Sequence, residues 1–263
     1  MNDMPKPSVL HDRSYPPLDL SVLPVFEPSP AVLDQNKVVA FDSRDIRSRP
    51  FNLMRTKFTK QIELLKMQLV GVTSPAPTAG KSLMSLNLAA AIARLNDYTV
   101  FLVDLDLRRG SIAQTLGLEF EHGLTTYLEG GVERLEDVAV KVADLPLVIL
   151  PTHTTDNDST TYLSGDRYRA LMGRLRALAE NAIVIVDLPP VFANDDAMIL
   201  MESLDGYMLV VDAGGTTKRQ VQDAMELLKP ASPVGTVLNR YKGGIIDSYG
   251  YGINAKAYSR YYR

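Results

Sequence analysis

Gly80-Lys81-Ser82 is the part of this chain best suited to handle phosphate. It follows a short apolar run at 69–73 and a turn of small residues and prolines, and it opens an apolar helical stretch at 83–95. In a strand–turn–helix unit of this kind, backbone N–H groups and the helix N-terminus present positive partial charge to a polyphosphate. Lys81 would reach the terminal phosphates and the Ser82 hydroxyl would ligate Mg²⁺. The expected nucleotide-binding stretch is Pro77, Thr78, Ala79, Gly80, Lys81, Ser82 and Leu83. The common pattern G-x-x-x-x-G-K-[ST] has glycine where this chain has Pro75, so the flanking elements carry more weight than the tripeptide.

Two strand-like runs end in carboxylates. Phe101-Leu102-Val103 leads into Asp104-Leu105-Asp106, and alternation along an extended chain points both acids to one side. Ile183-Val184-Ile185-Val186 leads into Asp187, followed by Pro189 and Pro190, which stop a ladder. Ligands of open α/β sheets bind at the carboxyl ends of the strands. Phosphate loop and acids together form a candidate Mg²⁺–nucleotide site. A strand-terminal Asp also serves as a helix cap or turn former. For Asp212, only that second role has support.

These residues need a scaffold, and the chain's patterning supplies one. Further apolar runs lie at 99–103, 147–150, 182–186, 207–211 and 234–238. Helical patterns lie at 83–95, 161–179, 194–203 and 217–229, and one at 55–69 would bury Phe58, Ile62, Leu65 and Leu69. Short, continuously apolar strands alternating with helices predict an α/β fold with a doubly wound, mainly parallel sheet. Seven of the sixteen prolines fall in the first thirty positions, which predicts an extended N-terminal segment over 1–45. The domain proper is expected over 46–240.

Composition narrows the function classes. The 263 residues suffice for one sizeable domain with extensions, and a net charge of −3 predicts no general affinity for nucleic acid or anionic lipid. The absence of cysteine excludes disulfides, Fe–S clusters and thiolate metal sites. No apolar run approaches the ~18–20 residues of a membrane span, and the first residues lack the basic-then-apolar layout of a signal peptide. A cytoplasmic protein without direct membrane insertion is expected. His11, His122 and His153 have no ligand spacing. Arg167, Arg169, Arg174 and Arg176 read as the solvated face of a helix, Met198 and Met201 as core, and Asp195 as a cap.

The ordered set of motifs resembles the bacterial protein-tyrosine kinases of capsule and exopolysaccharide synthesis, P-loop ATPases related to the MinD/ParA class. The resemblance covers residues 50–263 and rests on Thr73 to Ser82 (Walker A), Val103 to Arg109 (Walker A′) and Ile185 to Val191 (Walker B). Asp196-Ala197, Val210 to Thr217, Val237-Leu238-Asn239-Arg240 and a tyrosine-rich C-terminus extend it. It implies ATP and Mg²⁺ as cofactors, with Lys81, Asp104 and Asp106 catalytic. It also implies Ser82, Asp104 and Asp187 at the metal, and Asn239 and Arg240 near the adenine. The tail over 241–263 holds Tyr249, Tyr251, Tyr258, Tyr261 and Tyr262 as phosphoacceptor candidates. A membrane polysaccharide co-polymerase, whose cytoplasmic segment activates the kinase, and homo-oligomers are the implied partners.

The chain also departs from the family pattern. Thr78 stands where the loop usually has glycine, a strained choice if that position needs φ > 0. Of the usual upstream Glu-x-x-Arg-x-x-Arg ring motif, aligned with Arg49, Asn52 and Arg55, only the last position matches. A nucleotide-binding pseudokinase or structural partner of the same machinery is therefore a second reading. A MinD/ParA-type positioning ATPase is a third, disfavoured because its signature lysine is Ala76 here.

Overall fold

The computed structural model describes residues 18–178 and 182–241. Among these residues, eight strands form one sheet: β1 (Val25–Phe26), β2 (Leu69–Thr73), β3 (Thr99–Asp104), β4 (Val140–Val142), β5 (Leu147–Leu150), β6 (Ala182–Asp187), β7 (Gly206–Asp212) and β8 (Ser232–Asn239). Their order is β1-β4-β5-β3-β6-β2-β7-β8, and every neighbouring pair is parallel except β4–β5. The expected doubly wound, mainly parallel sheet is present.

Helices cover both faces. Those of the first face are α1 (Pro30–Gln35), α2 (Arg49–Leu65), α3 (Lys81–Ala93) and α4 (Ile112–Leu116). Alternate residues of the central strands, among them Val70, Val72, Leu102 and Ile185, pack there against Phe58, Ile62, Leu86, Ile92 and Leu116. The opposite face carries α5 (Leu124–Glu129), α6 (Ser159–Leu163), α7 (Asp166–Ala177), α8 (Asp196–Met201) and α9 (Lys218–Leu227). Phe101, Val103, Val184, Val186 and Leu209 meet Leu124, Leu171, Leu175, Leu200 and Ala224 on that side. Strands buried on both faces explain the continuous apolar runs of the sequence.

Several expectations need correction. Of the segment expected to be extended over 1–45, residues 18–45 are built into the domain, and 1–17 lie outside the described residues. β1 adds to the sheet through Lys141 N–H to Pro24 O (2.9 Å) and Ala143 N–H to Phe26 O (2.8 Å). Leu18, Leu23, Val38, Val39 and Ala40 are buried. Pro24 and Pro28 flank the two-residue strand, and Pro30 starts α1, a position where a missing N–H is tolerated. Helix α2 begins at Arg49 and stops where Lys66 turns left-handed, leaving Leu65 half-exposed. The helix expected over 161–179 is broken between α6 and α7, where Gly165 serves as the second helix's N-cap.

The arginine face of α7 is not simply solvated. Arg167 donates to the carbonyls of Tyr127 and Val132, both at 3.0 Å, and Arg176 to Asp205 (2.8 Å) and the Ser203 carbonyl (2.9 Å). Asp195 occupies the N-cap of α8 without a side-chain cap bond.

Candidate functional site

The loop joining β2 to α3 is built to stay open above the helix. Gly80 adopts φ 90°, and a Cβ there would lie 2.4 Å from the Asn239 amide nitrogen, so glycine is required. No side chain caps α3 and no acid sits in its first turn, which leaves the helix N-terminus free for an anion. Thr78 has φ 63°, the left-handed conformation in which its branched Cβ is strained. Neighbouring strands brace the loop. Val191 N–H donates to Ser74 O (2.9 Å), Thr73 Oγ1 to Pro189 O (2.7 Å), and Asn239 Nδ2 to Ala79 O (2.7 Å).

Lys81 points from this loop into the carboxylates. Its Nζ lies 2.8 Å from Asp106 Oδ2 and 3.1 Å from Asp187 Oδ2, and it is within 3.1 Å of Ser82 Oγ. Ser82 Oγ donates to Asp187 Oδ2 at 2.5 Å, and Ser85 Oγ to Asp187 Oδ1 at 2.9 Å. Asp104 sits beside Asp187 in the β3–β6 register. Its Oδ2 accepts the N–H groups of Ser111 (3.0 Å) and Ile112 (3.2 Å), and its Oδ1 that of Asp106 (3.3 Å). Asp104 thus also organises the turn into α4.

The electrostatics follow from burial. Asp104, Asp106 and Asp187 are at most 2% exposed. Burial, aided by the charge of Asp187, pushes Asp104 up to about 8 against the pull of Lys81. Burial likewise raises Asp187 despite Lys81 and Ser82. Burial opposes charge on Lys81, but Asp187, Asp106 and Asp104 outweigh it and hold the lysine above its usual value. The ammonium therefore stays charged and acts as the counter-ion of the acid cluster.

A cavity of about 440 Å³ opens over this group. Pro77, Thr78, Gly80, Lys81, Ser82 and Leu83 form its floor, with Asp106 and Pro190 at its side. Arg240, after β8, bounds it on one flank; Arg109, Ser111 and Thr115, after β3, bound it together with Asn36. Asp104 and Asp187 lie beneath the surface. Of the expected adenine-side pair, Arg240 reaches the cavity and pairs with Asp212 at 3.0 Å, while Asn239 braces the loop from behind. Among the described residues no cluster of three or more His, Cys, Asp or Glu forms a ready-made metal cage. Ser82, bonded to Asp187, and the adjacent Asp104 offer the one hydroxyl and one or two carboxylates that a Mg²⁺ held largely by phosphates and water would take from a protein. The candidate acceptors Tyr249, Tyr251, Tyr258, Tyr261 and Tyr262 lie outside the described residues.

Sequence reasoning missed Ser85, Asn87, Ser111, Thr115 and Asn36, and placed Arg109 in the Walker A′ stretch without giving it a role. One signal was legible: Asn87 interrupts the apolar run Leu86-Asn87-Leu88, and a buried amide demands partners. It finds them in the N-terminal segment, accepting from Val39 N–H and Ala40 N–H, both at 2.9 Å.

No protein-family model matches the chain. Among curated proteins, the tyrosine-protein kinase YwqD of Bacillus subtilis is 28% identical over 221 residues, covering 83% of this chain and 92% of that protein. The tyrosine-protein kinase etk of Escherichia coli strain K12 is 32% identical over 170 residues, 64% of this chain. The matched region spans only 23% of that longer protein. The solved kinase domain of the Escherichia coli tyrosine kinase ETK superposes with a TM-score of 0.70 at 27% identity, covering 82% of this chain and 88% of that one.

Proposed function

We propose that this chain, similar to the tyrosine-protein kinases YwqD and etk and to the solved ETK kinase domain, is a bacterial tyrosine kinase of P-loop fold that transfers the γ-phosphoryl group of ATP to tyrosine. The observation that carries the proposal is the position of Lys81, at the head of an uncapped helix and within 3.1 Å of two buried carboxylates. Phosphoryl transfer asks a protein mainly to position reactants and neutralise charge.

Each residue then has a task. The loop from Pro77 to Leu83 wraps the phosphates, and Lys81 exchanges its carboxylates for phosphate oxygens. Mg²⁺, bound with the nucleotide, would be held by Ser82 with Asp104 and Asp187 and would offset phosphate charge. Arg240 meets the base side of the nucleotide, and Asn239 keeps the loop in register through Ala79. A phenol of pKa ~10 needs a nearby carboxylate to become a nucleophile. Asp106 lines the cavity and is the acid best exposed to take that proton, with Asp104 beside it.

The acceptors are the C-terminal tyrosines Tyr249, Tyr251, Tyr258, Tyr261 and Tyr262. The setting is polysaccharide assembly or export at the inner face of the cell membrane. Among the described residues no helix is long and apolar enough to cross a membrane. The chain's partners in this reading are a membrane polysaccharide co-polymerase, whose cytoplasmic segment activates the kinase, and further copies of the kinase in a homo-oligomer.

Purified protein incubated with labelled ATP, with and without that segment, should acquire phosphotyrosine located by mass spectrometry, and Lys81→Met should abolish it. Absence of Lys81-dependent tyrosine label under every condition overturns the proposal. Thr78 favours one second reading, nucleotide binding without transfer. Calorimetric ATP binding with neither turnover nor phosphotyrosine is its signature.

A further inference from the structure

The cavity extends beyond the phosphate loop, and its far wall has a distinct origin. Strand order sets β7 and β8 on one side of β2, and β6 and β3 on the other. Arg240 therefore bounds the cavity on the β8 flank, whereas Arg109, Ser111 and Thr115 bound it on the β3 flank. Asn36 completes that second wall.

Three features make this wall a binding surface. Asn36 is held in place: its Nδ2 donates to Thr115 O at 2.8 Å. Its backbone closes α1 by donating to Val32 O at 3.0 Å. The next residues are tied to the phosphate-loop helix itself, since buried Asn87 of α3 accepts from Val39 and Ala40 and donates to Lys37 O at 3.3 Å. One N–H of Nδ2 is used in this way, while the amide oxygen of Asn36 has no donor among the described residues. Finally, Arg109 is exposed at the cavity and its guanidinium has no carboxylate partner among the described residues. Its neighbour Arg108, by contrast, bonds Ser159.

We propose that Asn36, Arg109 and Thr115 form the acceptor subsite, which receives the tyrosine side chain to be phosphorylated and its adjoining backbone. The proposal rests on the kinase reading and adds to it the residues that select the acceptor. A guanidinium is suited both to the face of a phenol ring and, after transfer, to phosphoryl oxygens. The Asn36 carbonyl accepts a backbone N–H of the incoming segment, and the Thr115 hydroxyl lies along the same wall. In the transfer step the phenolic oxygen forms a bond to the γ-phosphorus as the bridging P–O bond to the β-phosphate breaks. ADP leaves with that electron pair, and the phenolic proton passes to Asp106, which lines the cavity on this flank. The N-terminal segment is thus part of the active site.

The test uses the full chain, a fluorescent peptide of residues 246–253 (Ile-Asp-Ser-Tyr-Gly-Tyr-Gly-Ile) and Mg²⁺–ADP. Arg109→Ala should weaken peptide binding by about tenfold and Asn36→Ala by about three- to fivefold, in line with losing one charge-assisted and one neutral contact. Arg109→Lys should recover part of the loss, and Thr115→Val, close in volume, should cost about twofold. Affinity for a fluorescent ATP analogue should stay within about twofold in all four variants, with melting temperatures near that of the unsubstituted chain. Where that chain labels the peptide, Arg109→Ala and Asn36→Ala should raise KM and spare kcat. Unchanged peptide affinity overturns the subsite, as does a parallel fall in nucleotide affinity, which would make this wall the base pocket. Peptide binding that responds as expected in a protein that never labels tyrosine would sustain the subsite and sink the kinase reading alone.

Discussion

Thr78 holds φ at 63° within the loop that must wrap phosphate. A left-handed conformation costs a non-glycine residue about 1–2 kcal/mol, and glycine's extra chain entropy offsets about 0.5–1 kcal/mol of any relief. Thr78→Gly should therefore raise the unfolding free energy by about 1 kcal/mol in denaturant titrations. It should also bring the loop closer to bound phosphate, read as tighter ATP binding by calorimetry. The substitution was visible in the sequence, but whether it mattered depended on a dihedral that only the folded loop defines. Lys81, Ser82 and Asp187 were legible for a different reason: their roles follow from position at a strand or helix end, which local patterning reveals. Asn239 was expected near the adenine, and the fold adds a bracing role, one N–H of its amide bonding Ala79 O.

At the scale of elements, α3 and α7 show how one polar side chain can tie elements together. Asn87→Ala would strip two buried N–H groups, those of Val39 and Ala40, of their acceptor. Each such orphan costs about 1–3 kcal/mol, so a loss of roughly 2–6 kcal/mol is expected. Amide hydrogen exchange at Val39 and Ala40 should accelerate before the sheet opens. On α7, Tyr168 is buried and donates to Ser203 Oγ at 3.2 Å, and burial pushes its pKa up to about 12. The folded chain thus keeps the phenol proton where the unfolded chain, with a value near 10, releases it. That contribution is intact below pH ~10 and is lost as pH rises toward 12, by about 2–3 kcal/mol in all. Tyr168→Phe should flatten alkaline denaturation over that window, at a fixed cost of about 1 kcal/mol for the missing hydrogen bond.

Across the whole molecule, the N-terminal segment changes meaning most. Expected as an extended tail to about residue 45, its described part, from Leu18 on, instead supplies an edge strand, a short helix and one wall of the cavity. Removing residues 1–40 would expose the pocket that Leu18, Leu23, Val38 and Val39 fill. A chain beginning at Phe41 should melt more than about 10 °C below one beginning at Leu18, since such apolar side chains each contribute about 1.5–3 kcal/mol when buried. Differential scanning calorimetry on both lengths measures the difference, and equal melting temperatures would restore the tail interpretation.

By itself the sequence determined the phosphate loop, the alternation of strands and helices, and the acids at the strand ends. Each is written in a few consecutive residues, through apolar periodicity, glycine at a strained turn and carboxylates where a strand stops. The family pattern was visible on the same footing. Only the tertiary structure decided which side chains share the cavity. Asn87 meets Val39 across 48 positions and Asn239 meets Ala79 across 160, and no local pattern encodes either contact. Such contacts exist because the sheet brings distant strand ends to one rim, where a polar group must find a partner or pay for losing water. The acceptor wall of Asn36, Arg109 and Thr115 is made the same way, from segments that only folding brings together.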